Sequence, residues 1–258
     1  MFVHCEQHGA VARLTLDSPG KQNALSVAMW RALREQLDRL ASRDDVQVIV
    51  LAGAGGHFAA GADIAEFPQH RFDLDSGRHY HLQLIAPALA AIRAAPQPVL
   101  AAIQGSCVGG GFEIASVCDL RIAETGSRLG APVGKLGFPL ALPELAPVLR
   151  LLGPALTADL LLTGRLLSAE EALGAGVVQR VAGAGELNKV VQQVVDAVLA
   201  GSPLAARLNK RNLRMLVEQG GHYSDQQLAD SFGFFTSSDY AEGMAAFLAR
   251  RPPRFTGR

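Results

Sequence analysis

The chain has 258 residues, 49% of them hydrophobic and 19% charged, with 24 Lys plus Arg balanced against 24 Asp plus Glu. This composition excludes a disordered chain, and zero net charge removes any global electrostatic reason to expect nucleic acid or an anionic membrane as partner. Any anionic ligand must then be met by local residues.

Cys5, Cys107 and Cys118 are too few and too irregularly spaced for a disulfide framework or a zinc site, and read as small buried thiols. No His/Asp/Glu cluster has metal-ligand spacing. The opening Met-Phe-Val-His-Cys-Glu lacks a basic region followed by an apolar run, and no window holds the ~18 apolar residues of a membrane span. Cytoplasmic localisation is the expectation. With no linker-like stretch, the chain reads as one compact body with a helical extension.

Residues 11–16 alternate apolar and polar side chains before Asp17-Ser18-Pro19-Gly20, a strand running into a turn. Ser26 offers an N-cap to a helix in which Trp30, Leu33, Leu37 and Leu40 recur at three- and four-residue spacing. Residues 46–52 and 99–103 are short, nearly continuous apolar runs, as in strands buried on both faces of an α/β layered core. Residues 66–77 are polar and aperiodic, which predicts a mobile loop, followed by a helix from about residue 78 to 94. Beyond Gly130 the pattern is helical: residues 143–152, residues 155–162, a helix opened by the Ser168-Ala169-Glu170-Glu171 capping box, and an amphipathic stripe of Val190, Val191, Val194, Val195, Val198 and Leu199.

The most informative stretch is Gly105-Ser106-Cys107-Val108-Gly109-Gly110-Gly111-Phe112-Glu113, directly after a buried strand. Each glycine costs about 1 kcal/mol against alanine in a regular element, so three in succession serve close approach or unusual dihedrals. Such a turn exposes backbone N–H groups and the positive end of the following helix dipole, which suits a developing negative oxygen. A second turn, Gly53-Ala54-Gly55-Gly56-His57-Phe58-Ala59-Ala60-Gly61-Ala62-Asp63, follows the other buried strand. Together the two could bring two N–H donors to one carbonyl oxygen, although tight strand-to-helix connections would look the same. Neither fits a dinucleotide fingerprint or a P-loop.

Ala59-Ala60-Gly61-Ala62-Asp63-Ile64, the stretch 99–113 with its Gly-Gly-Gly-x-Glu, the segment from Ser168-Ala169-Glu170-Glu171-Ala172 to Val181, and Glu242-Gly243-Met244-Ala245-Ala246-Phe247 resemble enoyl-CoA hydratases in the same order. The resemblance to this crotonase (enoyl-CoA hydratase/isomerase) superfamily covers essentially the whole chain. It implies an α/β fold, a crotonase-like spiral of β-β-α turns over residues 1–195, and a C-terminal helical trimerisation region over 196–258 that completes the active site. It further implies that the Ala62 and Gly110 N–H groups polarise the thioester carbonyl of a coenzyme A substrate, with no permanently bound cofactor. Lys21, Ala60, Asp63 and Ile64 fall at coenzyme-binding positions, and Phe247 and Arg250 at positions contributed by a neighbouring subunit of a trimer or dimer of trimers. Arg250 and Arg251 also read as plain helix-end cations.

The first catalytic glutamate of the hydratases maps onto Glu113, one helical turn beyond Gly110. The second, twenty residues on, maps onto Val133, which cannot exchange a proton. Hydration through one water needs one group to activate the water and another to protonate the α-carbon, so the valine puts standard hydratase activity in question. The stretch 137–142 also departs from the hydratases, and a more apolar pocket floor is expected. Glu144, after Pro143, reads as a dipole-favoured carboxylate at a helix start, with a replacement acid as the rival reading. Glu66, His70, Asp73, Asp75, His79 and His81 read as solvated polar surface, with a swing toward the site as the rival, and His57 as a local hydrogen-bonding residue. A hydratase or isomerase with one catalytic glutamate is the leading reading; an acyl-CoA decarboxylase or an inactive acyl-CoA-binding relative are the alternatives.

Overall fold

The computed structural model describes residues 2–258. Among these residues, nine strands form two sheets. β1 (Phe2–His8), β2 (Val11–Asp17), β3 (Val48–Gly53), β4 (Val99–Ile103), β6 (Leu120–Glu124) and β9 (Arg180–Ala182) form the larger, in the order β1-β2-β3-β4-β6-β9, antiparallel between β1 and β2 and parallel elsewhere. β5 (Ser106–Val108), β7 (Arg128–Gly130) and β8 (Leu167–Ser168) form the smaller, β5 parallel to β7 and β7 antiparallel to β8. The chain steps from large sheet to small twice, β4 to β5 across Gly105 and β6 to β7 across Gly126.

The period of two in a strand explains the apolar runs. In β3 and β4, Ile49, Leu51, Val99 and Ala101 face one core with Trp30, Leu33 and Leu37 of the helix Val27–Ala41. Val48, Val50, Leu100 and Ala102 face a second core against Leu187, Val191, Val194 and Val195 of the helix Leu187–Leu199. The division expected between residues 195 and 196 falls inside this helix, which the sheet holds as one piece.

Two local readings are corrected. The expected loop 66–77 contains a 3-10 turn Ile64–Glu66 and short helices Phe67–His70 and Leu74–His79, continuing through a π turn Tyr80–Ile85 into the helix Ala86–Ala94. Some of its polar side chains are caps: Asp73 accepts from Ser76 N at 2.8 Å, and Glu66 Oε2 accepts from Val27 N at 2.7 Å. Cys107 and Cys118 are buried, whereas Cys5 is exposed.

The two expected helices 143–152 and 155–162 form one helix, Leu142–Thr163, bent at Gly153 (φ 69°, ψ 169°). Its best 18-residue window has a mean hydropathy of 1.5, long and apolar enough to span a membrane by length and composition, contrary to the sequence expectation. It nevertheless packs against the helix Gly110–Val117 and carries Glu144, Arg150 and Asp159. The helices Pro203–Glu218, Asp225–Ser231 and Ser238–Leu248 complete the chain.

Candidate active site

The two glycine turns lie against each other because their strands do. Ala59 N donates to Ser106 O and Val108 N donates to Ala59 O, each at 2.9 Å, around a bridge between Ala59 and Cys107. The approach is backbone to backbone: a Cβ on Gly111 would stand 2.4 Å from Ala59 O. At Gly61 (φ 105°) an added Cβ would lie 3.2 Å from Val108 O, so Gly61 is required chiefly by its dihedral and Gly111 by contact.

This packing leaves donors free. Ala62 bridges Leu25 through its neighbours, since Leu25 N donates to Gly61 O at 2.7 Å and Asp63 N to Leu25 O at 2.9 Å. The N–H of Ala62 itself stays outside that pairing. Gly110 opens the helix Gly110–Val117, where the first N–H groups have no intrahelical acceptor. Ala62 and Gly110 both line a cavity of about 230 Å³.

Glu113, one turn along that helix, is 4% exposed and faces the same cavity, and its Oε2 has no hydrogen-bond partner in the protein. Burial, and secondarily the charge of Glu144, holds its carboxyl well above the usual carboxylate range, with Arg71 acting in the opposite direction. The Trp30 indole N–H and the Tyr80 hydroxyl are also buried on this cavity, close enough to each other to interact. Buried polar atoms are rarely unsatisfied, and the free Glu113 oxygen in this hollow indicates a surface shaped for a ligand with a polar group.

The walls are apolar and aromatic. Phe67, Tyr80, Ile85, Val133, Phe138 and Leu140 line the cavity, with Val133 8% exposed at the start of the turn Val133–Leu136. The Arg71 guanidinium stacks 4.3 Å from the Phe67 ring centroid and 4.4 Å from that of Phe138, one cation set between two rings on the cavity rim. Phe67 and Arg71 escaped the sequence reading because they come from a segment read as solvated loop, whereas Phe138 and Leu140 fall in the stretch where a more apolar pocket floor was expected.

Glu144 is not the exposed dipole partner that its position suggested. It is 1% exposed, lines the cavity, and its Oε1 lies 2.6 Å from Nδ1 of His81, which lines the cavity as well. Among the other loop candidates, Glu66 and Asp73 are caps, and His70, Asp75 and His79 lie outside the cavity lining. His57 Nδ1 accepts from Ser106 N at 3.2 Å.

Of the expected coenzyme-binding residues, Ala60 and Ile64 line the cavity. Lys21 and Asp63 do not, and pair with each other at 2.7 Å, Asp63 also accepting from Ala65 N. Phe247, 80% exposed, and Arg250, at φ 52°, sit at the end of the last helix, away from the cavity of their own chain.

The sequence profile of the enoyl-CoA hydratase/isomerase family matches residues 6–258. A crystal structure of an enoyl-CoA hydratase/carnithine racemase from Magnetospirillum magneticum superposes with a TM-score of 0.96 at 38% identity, covering 99% of this chain and 96% of that one. A Thermus thermophilus relative is 35% identical over 252 residues, 96% of this chain and 98% of its own. The crotonyl-CoA hydratase of Syntrophomonas wolfei is 30% identical over 255 residues, 98% of this chain and 97% of its own. The mixed parallel sheet and its helices are thus those of the crotonase superfamily. Within it, the chain belongs to the enoyl-CoA hydratase/isomerase family.

Proposed function

We propose that this protein is an acyl-CoA enzyme that stabilises a thioester enolate, with the Ala62 and Gly110 N–H groups as its oxyanion hole and Glu113 as the acid/base beside them. The observation that carries this reading is the buried, unpartnered carboxyl of Glu113 sharing one cavity with two backbone turns in contact. An enolate oxygen between two preorganised donors is stabilised where water is excluded, and losing one such donor typically costs about 3–4 kcal/mol. A carboxyl whose proton is held more tightly because of burial is suited to giving a proton to carbon and taking it back.

The cavity, about 230 Å³, is smaller than the roughly 300–1,000 Å³ that holds a drug-sized ligand, so it fits a short apolar acyl end and not the coenzyme. The coenzyme then lies outside, along Ala60 and Ile64, with Lys21 and Asp63 at the rim and Phe247 and Arg250 supplied by a second subunit. Support for that assembly, a spiral core with a trimerising C-terminal region, is the apolar surface left open on the helical half: Leu142, Leu162, Leu213, Phe247 and Leu248 are all more than 60% exposed. A cytoplasmic, metal-independent enzyme completes the proposal.

The test is exchange of the C2 protons of butyryl-CoA in deuterated water. Wild-type protein should exchange them and Glu113→Gln should not, while coenzyme A ester binding survives because both backbone donors remain. A wild type that binds the ester but exchanges nothing would sink the enolate mechanism and favour an inactive binding relative.

A further inference from the structure

We propose, resting on the enolate reading above, that Glu144 held by His81 is the second proton-transfer group of this site, and that it makes the enzyme a hydratase of short 2-enoyl thioesters in spite of Val133.

The burial of Glu144 is the first argument. A carboxylate that merely answers a helix dipole needs only the first turn and stays hydrated, and burying one costs several kcal/mol after relaxation. Glu144 is 1% exposed, in a cavity whose walls are otherwise largely hydrocarbon. Its one side-chain partner is Nδ1 of His81, at 2.6 Å, delivered by the π turn Tyr80–Ile85, and such turns recur at functional sites. The second argument is that Glu113 and Glu144 share the cavity in unlike settings, Glu113 with an unpartnered oxygen and Glu144 beside a ring nitrogen. Two carboxyl groups whose environments differ in this way divide into an acid and a base.

The step balances without any further reactant. Water in the cavity gives a proton to the Glu144 carboxylate as its oxygen forms a bond to C3. The C2–C3 π pair moves toward the thioester, giving an enolate whose oxygen meets the Ala62 and Gly110 N–H groups. The enolate then takes the proton of the Glu113 carboxylic acid onto C2, leaving a 3-hydroxyacyl thioester. The proton on Glu144 passes through cavity water to the Glu113 carboxylate, and the site is reset with one water consumed. His81 does not touch the reacting atoms in this scheme. It is a positioning residue whose Nδ1–H donates to Glu144 and fixes the direction of its free oxygen.

Crotonyl-CoA hydration and butyryl-CoA C2 exchange are measured on the same preparations. Wild type is expected to do both, and Glu144→Gln to lower the ratio of hydration to exchange by about 10²- to 10⁴-fold, the range for one lost acid/base group. His81→Leu should lower kcat for hydration with little change in KM, and His81→Asn, whose amide can still donate, should recover most of it. If Glu144→Gln does not yield folded protein, Glu144→Asp, which draws the carboxylate back by one methylene, is read in the same way. Hydration retained in Glu144→Gln, or a wild type that exchanges C2 protons without hydrating, overturns the proposal and leaves the enolate reading standing. A wild type that does neither overturns that reading instead.

Discussion

Oε1 of Glu144 and Nδ1 of His81 lie 2.6 Å apart, joining the first turn of the helix Leu142–Thr163 to the π turn Tyr80–Ile85 across the cavity that holds Glu113. The contact ties the segment over the site to its floor. It also leaves the two buried carboxyl groups of the cavity with unlike neighbours, and the predictions turn on that difference.

Glu113→Gln should stabilise the fold increasingly as pH rises. Burial first, and then the charge of Glu144, raises the folded-state pKa of Glu113 above its unfolded value. A raised pKa means that the folded state binds the proton more tightly, so the contribution of Glu113 to stability is fully present below the unfolded pKa, about 4.3, and is lost as pH rises through the folded value. The amide has no charge to bury. Thermal melting from pH 5 to pH 9 should show the variant gaining on wild type across the range, and a constant difference would contradict the assignment.

Gly111→Ala should destabilise by about 1–3 kcal/mol, the range for an overpacked core, and should also cut C2 exchange. Its Cβ would stand 2.4 Å from Ala59 O, and a backbone carbonyl cannot rotate away as a side-chain tip would. The two turns must separate, and with them the Ala62 and Gly110 donors. Gly126→Ala, a glycine with open space and φ 83° on the other sheet crossing, tests strain alone, and should lower the melting temperature without changing exchange per folded molecule.

Much of this site was legible in the sequence, for reasons that particular residues make plain. Gly109-Gly110-Gly111 after an apolar run is costly anywhere but at a close approach, so the turn could be read from the residues themselves, whereas the roles of Ala62 and Gly110 as donors and of Glu113 as acid came only from the resemblance to the hydratases. The large-sheet strands β3 and β4 were readable because both faces are buried. Three-residue β5 and β7 and two-residue β8 are too short to show a period, and the smaller sheet went unseen. Glu144 was read as a dipole-favoured carboxylate at a helix start with a replacement acid as the rival, and His81 as loop surface; their pairing spans 63 positions and no local pattern carries it. The segment 66–77 was misjudged as loop for a related reason, while the helix expected from 78 to 94 is present: Glu66, Asp73 and Ser76 look solvated but satisfy backbone N–H groups.

Arg250→Ala should raise KM for crotonyl-CoA several-fold with kcat nearly unchanged, and sedimentation at micromolar concentration should show a trimer or a multiple of it. Arg250 is exposed and does not line the cavity of its own chain, so an effect on coenzyme binding points to a neighbour's site. Its φ of 52° is a conformation that glycine takes more readily, so Arg250→Gly separates the lost charge from backbone strain by keeping the KM effect while sparing stability. A monomer with unchanged KM in both variants contradicts the shared site.

Val133→Glu should do little alone and much in combination. Val133 is 8% exposed at the start of the turn Val133–Leu136, on the same cavity as Glu113 and Glu144. In wild type a glutamate there adds a third carboxyl to a space that already holds two, and it must displace apolar wall, so a cost of about 1–3 kcal/mol in stability is expected. With Glu144 already supplying the second proton-transfer group, hydration should change by no more than a few-fold. In a Glu144→Gln background the position is no longer redundant. Val133→Glu should then restore crotonyl-CoA hydration by at least about tenfold, corresponding to part of the 10²- to 10⁴-fold worth of one acid/base group. Loss of absorbance of the enoyl thioester, followed in the two single variants and the double, checks this. If Val133→Glu accelerates the wild type as much as it accelerates Glu144→Gln, the two positions act independently and Glu144 is not the group that stands in for the missing glutamate.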